Sequence, residues 1–143
     1  MSAPGRDEVV RRMFEEARFV TYLGIAVTAS GPGWCEATLD EPQPDLLQQS
    51  GSLHAGVMTT LADHTAGAAI ISLLDAGLGV VSVDLSISFL RPARGSLRCR
   101  AESLRCGKRI GVAEATVYAR THEGEERAVA KAKVTLAIVP WSP

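Results

Sequence analysis

The chain reads as an α+β domain in which one antiparallel sheet curls around a single long buried helix. Three observations predict this. The stretch from about His54 to Leu74 is apolar on nearly every side, so a helix there needs something wrapped around it. From Val80 onward, apolar and polar residues alternate in long runs broken by short polar turns, which is the signature of hairpin-linked strands. Two shorter strand-like runs precede the helix, which brings the expected total to five to six strands. Hairpin links imply antiparallel pairing, and a curved sheet leaves one face for the helix.

The elements follow in order. Residues 6–19 (RDEVVRRMFEEARF) are expected to form one amphipathic helix, because Val9, Val10, Met13, Phe14 and Ala17 recur at helical spacing. Ile25 to Thr28 is strand-like, Gly31-Pro32-Gly33 is a turn, and Trp34 to Leu39 alternates as a second strand. The helix over about 54–74 would span roughly 30 Å, and Gly77 and Gly79 end that segment. In Val80 to Leu90, the alternation places Val81, Val83, Leu85, Ile87 and Phe89 on one face. Ser82, Asp84, Ser86 and Ser88 fall on the other. Leu97 to Leu104, Ile110 to Thr121 and Ala128 to Val139 are the remaining strands. Their turns lie at Cys106–Arg109 and His122–Glu126, and Ala130, Ala132, Val134, Leu136 and Ile138 point inward.

The length of 143 residues suits a single domain over 1–143. A net charge of −1 argues against nucleic-acid binding, which calls for a basic excess or stripe. Cys35, Cys99 and Cys106 form no C-x-x-C pair and read as small core residues of a reducing compartment. The N-terminus carries charges early and lacks the apolar core of a signal peptide, so the expected location is cytoplasmic. The apolar run around residue 63 is not expected to span a membrane. It holds Asp63 and His64 at its centre and lacks basic flanks.

Asp63 is the most unusual residue. It sits mid-helix among Leu61, Ala62, Ala66 and Ala69, where an unpaired carboxylate is costly. Such acids mark sites more often than chance. The helix start, Gln48 to Gly56, is the second feature. A helix N-terminus presents free N–H groups, and the small residues Ala55 and Gly56 let a carbonyl approach them as an oxyanion hole. The alternative is an ordinary start capped by Ser52. Ala55 and Asp63 are eight residues apart, about 12 Å along one helix, so they cannot serve one carbonyl in the same copy. Two antiparallel copies about a two-fold axis can, which implies a homodimer.

Other constellations carry less. Ser52, His54 and Asp63 have the residue types of a triad but no G-x-S-x-G elbow. His54 and His64 are ten residues apart on one helix and do not converge on a metal, so none is expected. Arg105, Lys108 and Arg109 cluster around a hairpin, where they would either hold phosphates or stand in solvent.

Leu53-His54-Ala55-Gly56-x-x-x-x-Leu61-x-Asp63 resembles the H-G-G-x-x-x-x-L-x-D signature of hotdog-fold acyl-CoA thioesterases. The branch is that of the phenylacetate-pathway thioesterase and the thioesterase-superfamily proteins. The run Val81 to Ala93 resembles the long strand after the helix in that branch, and the likeness extends from roughly Tyr22 to Val139. The resemblance implies an acyl-CoA substrate, no cofactor beyond that coenzyme A, and a homodimer or a dimer of dimers. It implies Asp63 as nucleophile or general base, Gln48 as the residue that orients nucleophile or water, and the Ala55 N–H as polariser of the carbonyl. It places His54 near the sulfur and Ser82 on a water. It also implies that Phe89 and the hairpin residues Arg105, Gly107, Lys108 and Arg109 contact substrate. Ser82 lies on the polar face of its strand, so a bulge or a site facing the partner is needed to bring it to Asp63. Two competing readings are a hotdog hydratase or dehydratase and a non-catalytic acyl-CoA binder. In the former, an Asp or Glu works with a histidine placed for proton transfer, commonly as D-x-x-x-x-H, whereas His64 is adjacent to Asp63 and diverges from it by about 100°.

Overall fold

The computed structural model describes residues 4–142. Six strands form one antiparallel sheet in the order β1-β2-β4-β5-β6-β3. They are β1 (Ala26–Gly31), β2 (Trp34–Leu39), β3 (Leu78–Phe89), β4 (Leu97–Cys106), β5 (Ile110–Arg120) and β6 (Glu126–Pro140). Helix α3 (Ala55–Ile71) follows β2 and leads to β3 at the opposite edge, so it crosses the sheet from one side to the other. Leu61, Ala62, Ala66, Ala68, Ala69 and Ile70 are all fully buried on it. Their small size lets the helix axis lie close to the strands, and the sheet supplies the wrapping that the sequence called for.

The helix packs tightly on Gly111 of β5. A Cβ there would meet three atoms of Ile70 at 2.9, 3.0 and 3.1 Å. Ile70 is branched and fully enclosed, so it has nowhere to move. Gly111→Ala is therefore expected to destabilise the fold by about 1–3 kcal/mol through overpacking. Chemical denaturation would show this as a lower midpoint with an unchanged slope.

Three expectations are corrected. The single helix over 6–19 is two helices, α1 (Arg6–Glu15) and α2 (Arg18–Leu23). Ala17 is extended between them (φ −80°, ψ 99°), which turns α2 so that Val20 and Leu23 are buried. The central helix ends at Ile71 instead of 74. Ser72 Oγ donates back to the Ala69 carbonyl (2.7 Å) and accepts the Gly33 N–H (2.8 Å), which ties the helix end to the β1–β2 turn. In β3, the simple alternation fails at a bulge between Ser82 and Asp84. Ser82 pairs with Leu136 and Leu85 with Val134, both inward-facing, so Val83 is the extra residue. Val80, Ser82, Leu85 and Ile87 thus face the helix, whereas Val81 and Val83 are exposed at 55% and 57%.

Cys35 and Cys99 are completely buried, and desolvation pushes both thiols up to about 12. They are packing residues with no reactive thiolate. Among the described residues, no helix is long and apolar enough to cross a membrane.

Candidate active site

Asp63 lies on the face of α3 that looks toward β3. The bulge delivers Ser82 to it, and Ser82 Oγ donates to Asp63 Oδ1 at 2.7 Å. The carboxylate is half-buried, with one oxygen held by Ser82, and the residue lines a cleft. Two cavities meet at this pair. The first, about 520 Å³, is an open cleft bordered by Phe19, Thr59, Thr60 and Val83. The second, about 730 Å³, runs beneath α1.

The start of α3 is a separate, rigid assembly. Its cap is His54 rather than Ser52: His54 Nδ1 accepts the Gly56 N–H at 2.9 Å. With Nδ1 as the acceptor, Nε2 of this exposed residue is left as the ring's donor. The cap also commits the Gly56 N–H, so of the two candidate oxyanion donors only the Ala55 N–H has no acceptor among the described residues. Ser52 is buried and instead bonds Ser50 (2.8 Å) and Gln48 Nε2 (3.2 Å). Gln48 Nε2 also donates to Ser50 Oγ at 2.8 Å. Backbone bonds from Leu53 to Ala93 (2.8 Å) and from His54 to Leu46 (2.9 Å) pin the segment. Arg94 holds it further by donating to the carbonyls of Ser50 and Gly51.

The structure therefore brings Asp63 and Ser82 together, and separately groups Gln48, His54, Ala55 and Gly56. It does not join the two groups within one chain, since Asp63 lies more than two helical turns from Ala55. Arg105, Lys108 and Arg109 are exposed on the β4–β5 hairpin, and no ion pair engages them among the described residues. Gly107 closes that hairpin by donating to Ile110 (2.9 Å). The register places the hairpin beside Ser82: Gly111 pairs with Leu136, which pairs with Ser82. Two strand spacings separate them, roughly 10 Å. Phe89 is remote, at the far end of β3, seven residues from Ser82.

His64 has a role the sequence did not suggest. Its Nε2 donates to the Met13 carbonyl at 3.0 Å, and its ring stands edge-on to Phe14 with centroids 4.6 Å apart. It fastens α1 to α3 and is not paired with Asp63. Thr59 and Thr60, which border the first cleft, were also missed. Their positions three and four residues before Asp63 put them on its helix face, which is the signal that could have found them.

Burial lowers the His64 imidazole below its ordinary value near 6.5, outweighing the Met13 carbonyl and Asp63, which raise it. The neutral form is thus preferred in the fold. Its contribution to stability is complete above pH 6.5 and is lost as pH falls toward the lowered value. Thermal melts from pH 7.5 to 5 should show a drop in Tm that is smaller in His64→Gln, whose amide can still donate to Met13. Parallel curves for the two proteins would contradict this.

Comparison with known proteins follows the same lines. The family model described as the thioesterase superfamily matches residues 50–126. A Halobacterium salinarum protein named as an esterase is 32% identical over 130 residues, covering 85% of each chain. Human acyl-coenzyme A thioesterase 13 is 31% identical over 90 residues, 61% of each chain. A thioesterase family protein from Silicibacter pomeroyi superposes with a TM-score of 0.91 at 34% identity, covering 96% of this chain and 100% of that one. The PaaI protein of the E. coli phenylacetic acid degradation operon shares the fold, with a TM-score of 0.82 at 23% identity and coverage of 96% and 95%.

Proposed function

Since the chain belongs to the thioesterase superfamily, we propose that it hydrolyses acyl-CoA thioesters at a site built from two copies of itself. The observation that carries this reading is the Asp63–Ser82 pair, a half-open carboxylate at the junction of two cavities. Its complement is the unengaged Ala55 N–H at the start of the same helix. A second copy placed antiparallel brings its own Ala55 to the first copy's Asp63. The edge strand β3 supports such pairing. Among the described residues its outer edge is unpaired and Val81 and Val83 are exposed on it; Val83 shares the open cleft with Phe19 of α2, which is exposed at 61%.

In this arrangement the thioester oxygen accepts the Ala55 N–H at the positive end of α3. Gln48, on the same rigid segment, orients the attacking group. Asp63 attacks the carbonyl carbon or takes a proton from water that attacks it. Ser82 holds the carboxylate and accepts from the incoming water. The C–S bond breaks, and the departing sulfur lies near the outward Nε2–H of His54. The net change is R–CO–S–CoA plus water to R–COOH and CoA–SH. The cations Arg105, Lys108 and Arg109 offer contacts to the coenzyme phosphates. The engagement of His64 by Met13 disfavours a hydratase, which needs a histidine free to exchange a proton with substrate.

Purified protein incubated with a panel of aryl- and fatty-acyl-CoAs is expected to release free thiol. Tight binding of the panel without thiol release would instead favour a non-catalytic acyl-CoA binder.

A further inference from the structure

The second cavity has no assigned use. It lies between α1 and the β3–β6 corner, and Asp63 and Ser82 stand at one end of it. Its lining is mostly apolar, with Val9, Met13, Ile71, Val80, Leu136 and Trp141, and the charged Arg6, Arg12 and Glu16 of α1 also border it. A volume near 730 Å³ is that of a small-molecule site. The roof is fixed at the Asp63 end, where His64 holds the Met13 carbonyl at 3.0 Å. Gly67, one turn after Asp63 on α3, lines its base. A Cβ at Gly67 would lie 3.2 Å from Met13 Cε and 3.6 Å from both Leu136 and Val80 side chains. The groove is therefore narrow at Gly67: even one added carbon would press on the flexible end of Met13, and a larger side chain would fill the space.

We infer that this groove is the acyl pocket, that Gly67 and Met13 set the length it accepts, and that it suits unbranched apolar acyl groups of medium length. The inference rests on the thioester reading above. A thioester carbon at Asp63 has two arms that must diverge. The coenzyme arm is polar and long and belongs in the open cleft beside Thr59 and Thr60. The acyl arm belongs in the apolar groove, where burial contributes with each methylene. From Ser82 to Gly79, against which Trp141 packs, is three strand residues, about 10 Å. From Asp63 to Ile71 is about 12 Å of helix. With carbon–carbon bonds of about 1.5 Å, a zigzag chain of about eight to ten carbons fills that distance.

The test uses saturated acyl-CoAs from four to sixteen carbons. Wild type should have its highest kcat/KM near eight to ten carbons. Gly67→Leu should lower the ratio of decanoyl to butyryl kcat/KM at least tenfold, and Met13→Ala should raise the ratio of tetradecanoyl to decanoyl. A second readout needs no turnover. In a Trp34→Phe background, the non-hydrolysable thioether decyl-CoA should change the emission of Trp141, and Gly67→Leu should abolish the change. Thiol release with neither ratio altered and Trp141 silent overturns the groove and leaves the esterase reading standing. A Trp141 response with no thiol release from any acyl-CoA keeps the groove and overturns the esterase. No response in either assay overturns both.

Discussion

Asp63→Asn is expected to lower kcat by about two to four orders of magnitude while leaving the protein folded and its assembly intact. The amide keeps the shape of the carboxylate, and its oxygen can still accept from Ser82 Oγ, now at 2.7 Å from Oδ1. What it loses is the ability to take a proton or attack a carbonyl. Because Asp63 is half-buried and already hydrogen-bonded, the substitution opens no void, and Tm should stay near that of wild type. Ser82→Ala should have a smaller effect, since it loosens the carboxylate without removing it. Turnover numbers and melting curves on the same preparations separate these outcomes. Retention of more than a tenth of wild-type kcat by Asp63→Asn would remove the carboxylate from the reaction.

Mixing two inactive proteins should restore activity. Asp63→Ala lacks the carboxylate, and Gln48→Ala/Ala55→Pro lacks the helix-start donors. If each site takes Asp63 from one copy and Ala55 from another, a mixed dimer contains one intact site and one doubly defective site. Equal mixing with free exchange makes half the dimers mixed, so recovery should approach about a quarter of wild-type activity. The two half-sites are each rigid in the single chain. Gln48 is bonded to Ser50 and Ser52, and Asp63 to Ser82. Neither half needs the other in order to form. Absence of recovery in dimers shown by mass to have exchanged would mean that the two halves do not share a substrate.

Much of the fold was legible because its strongest features are local in sequence. The all-round apolar helix demanded a wrapper, and the strand run after Val80 supplied one. Asp63 stood out because a carboxylate among alanines is expensive. What was not legible depended on contacts distant in the chain. The break at Ala17 follows from how Val20 and Leu23 find the core, which helical spacing over 6–19 does not encode. The cap at His54 displaced Ser52 because Ser52 is drawn inward by Gln48 and Ser50. His64 looked like a companion to Asp63 only because it is adjacent in sequence. Its partner is the Met13 carbonyl, fifty-one residues away. Val81 and Val83 read as sharing a face with Leu85 and Ile87 because strict alternation counts every residue, and one extra residue reverses the parity.

That extra residue also bears on assembly accuracy. Two identical smooth strands laid edge to edge can slide by a pair of residues and still match apolar to apolar, so their alignment is weakly defined. Val83 interrupts the ladder of β3 at a single place and bends the edge there. Two copies meeting along β3 can superpose that irregularity on its symmetry mate in only one registration. A misaligned pair would set Ala55 and Asp63 off by a strand step of about 7 Å, too far for any carbonyl to touch both. In the proposed dimer the bulge would thus be a ruler as well as a hinge for Ser82, setting the spacing between copies to the tolerance that the chemistry requires.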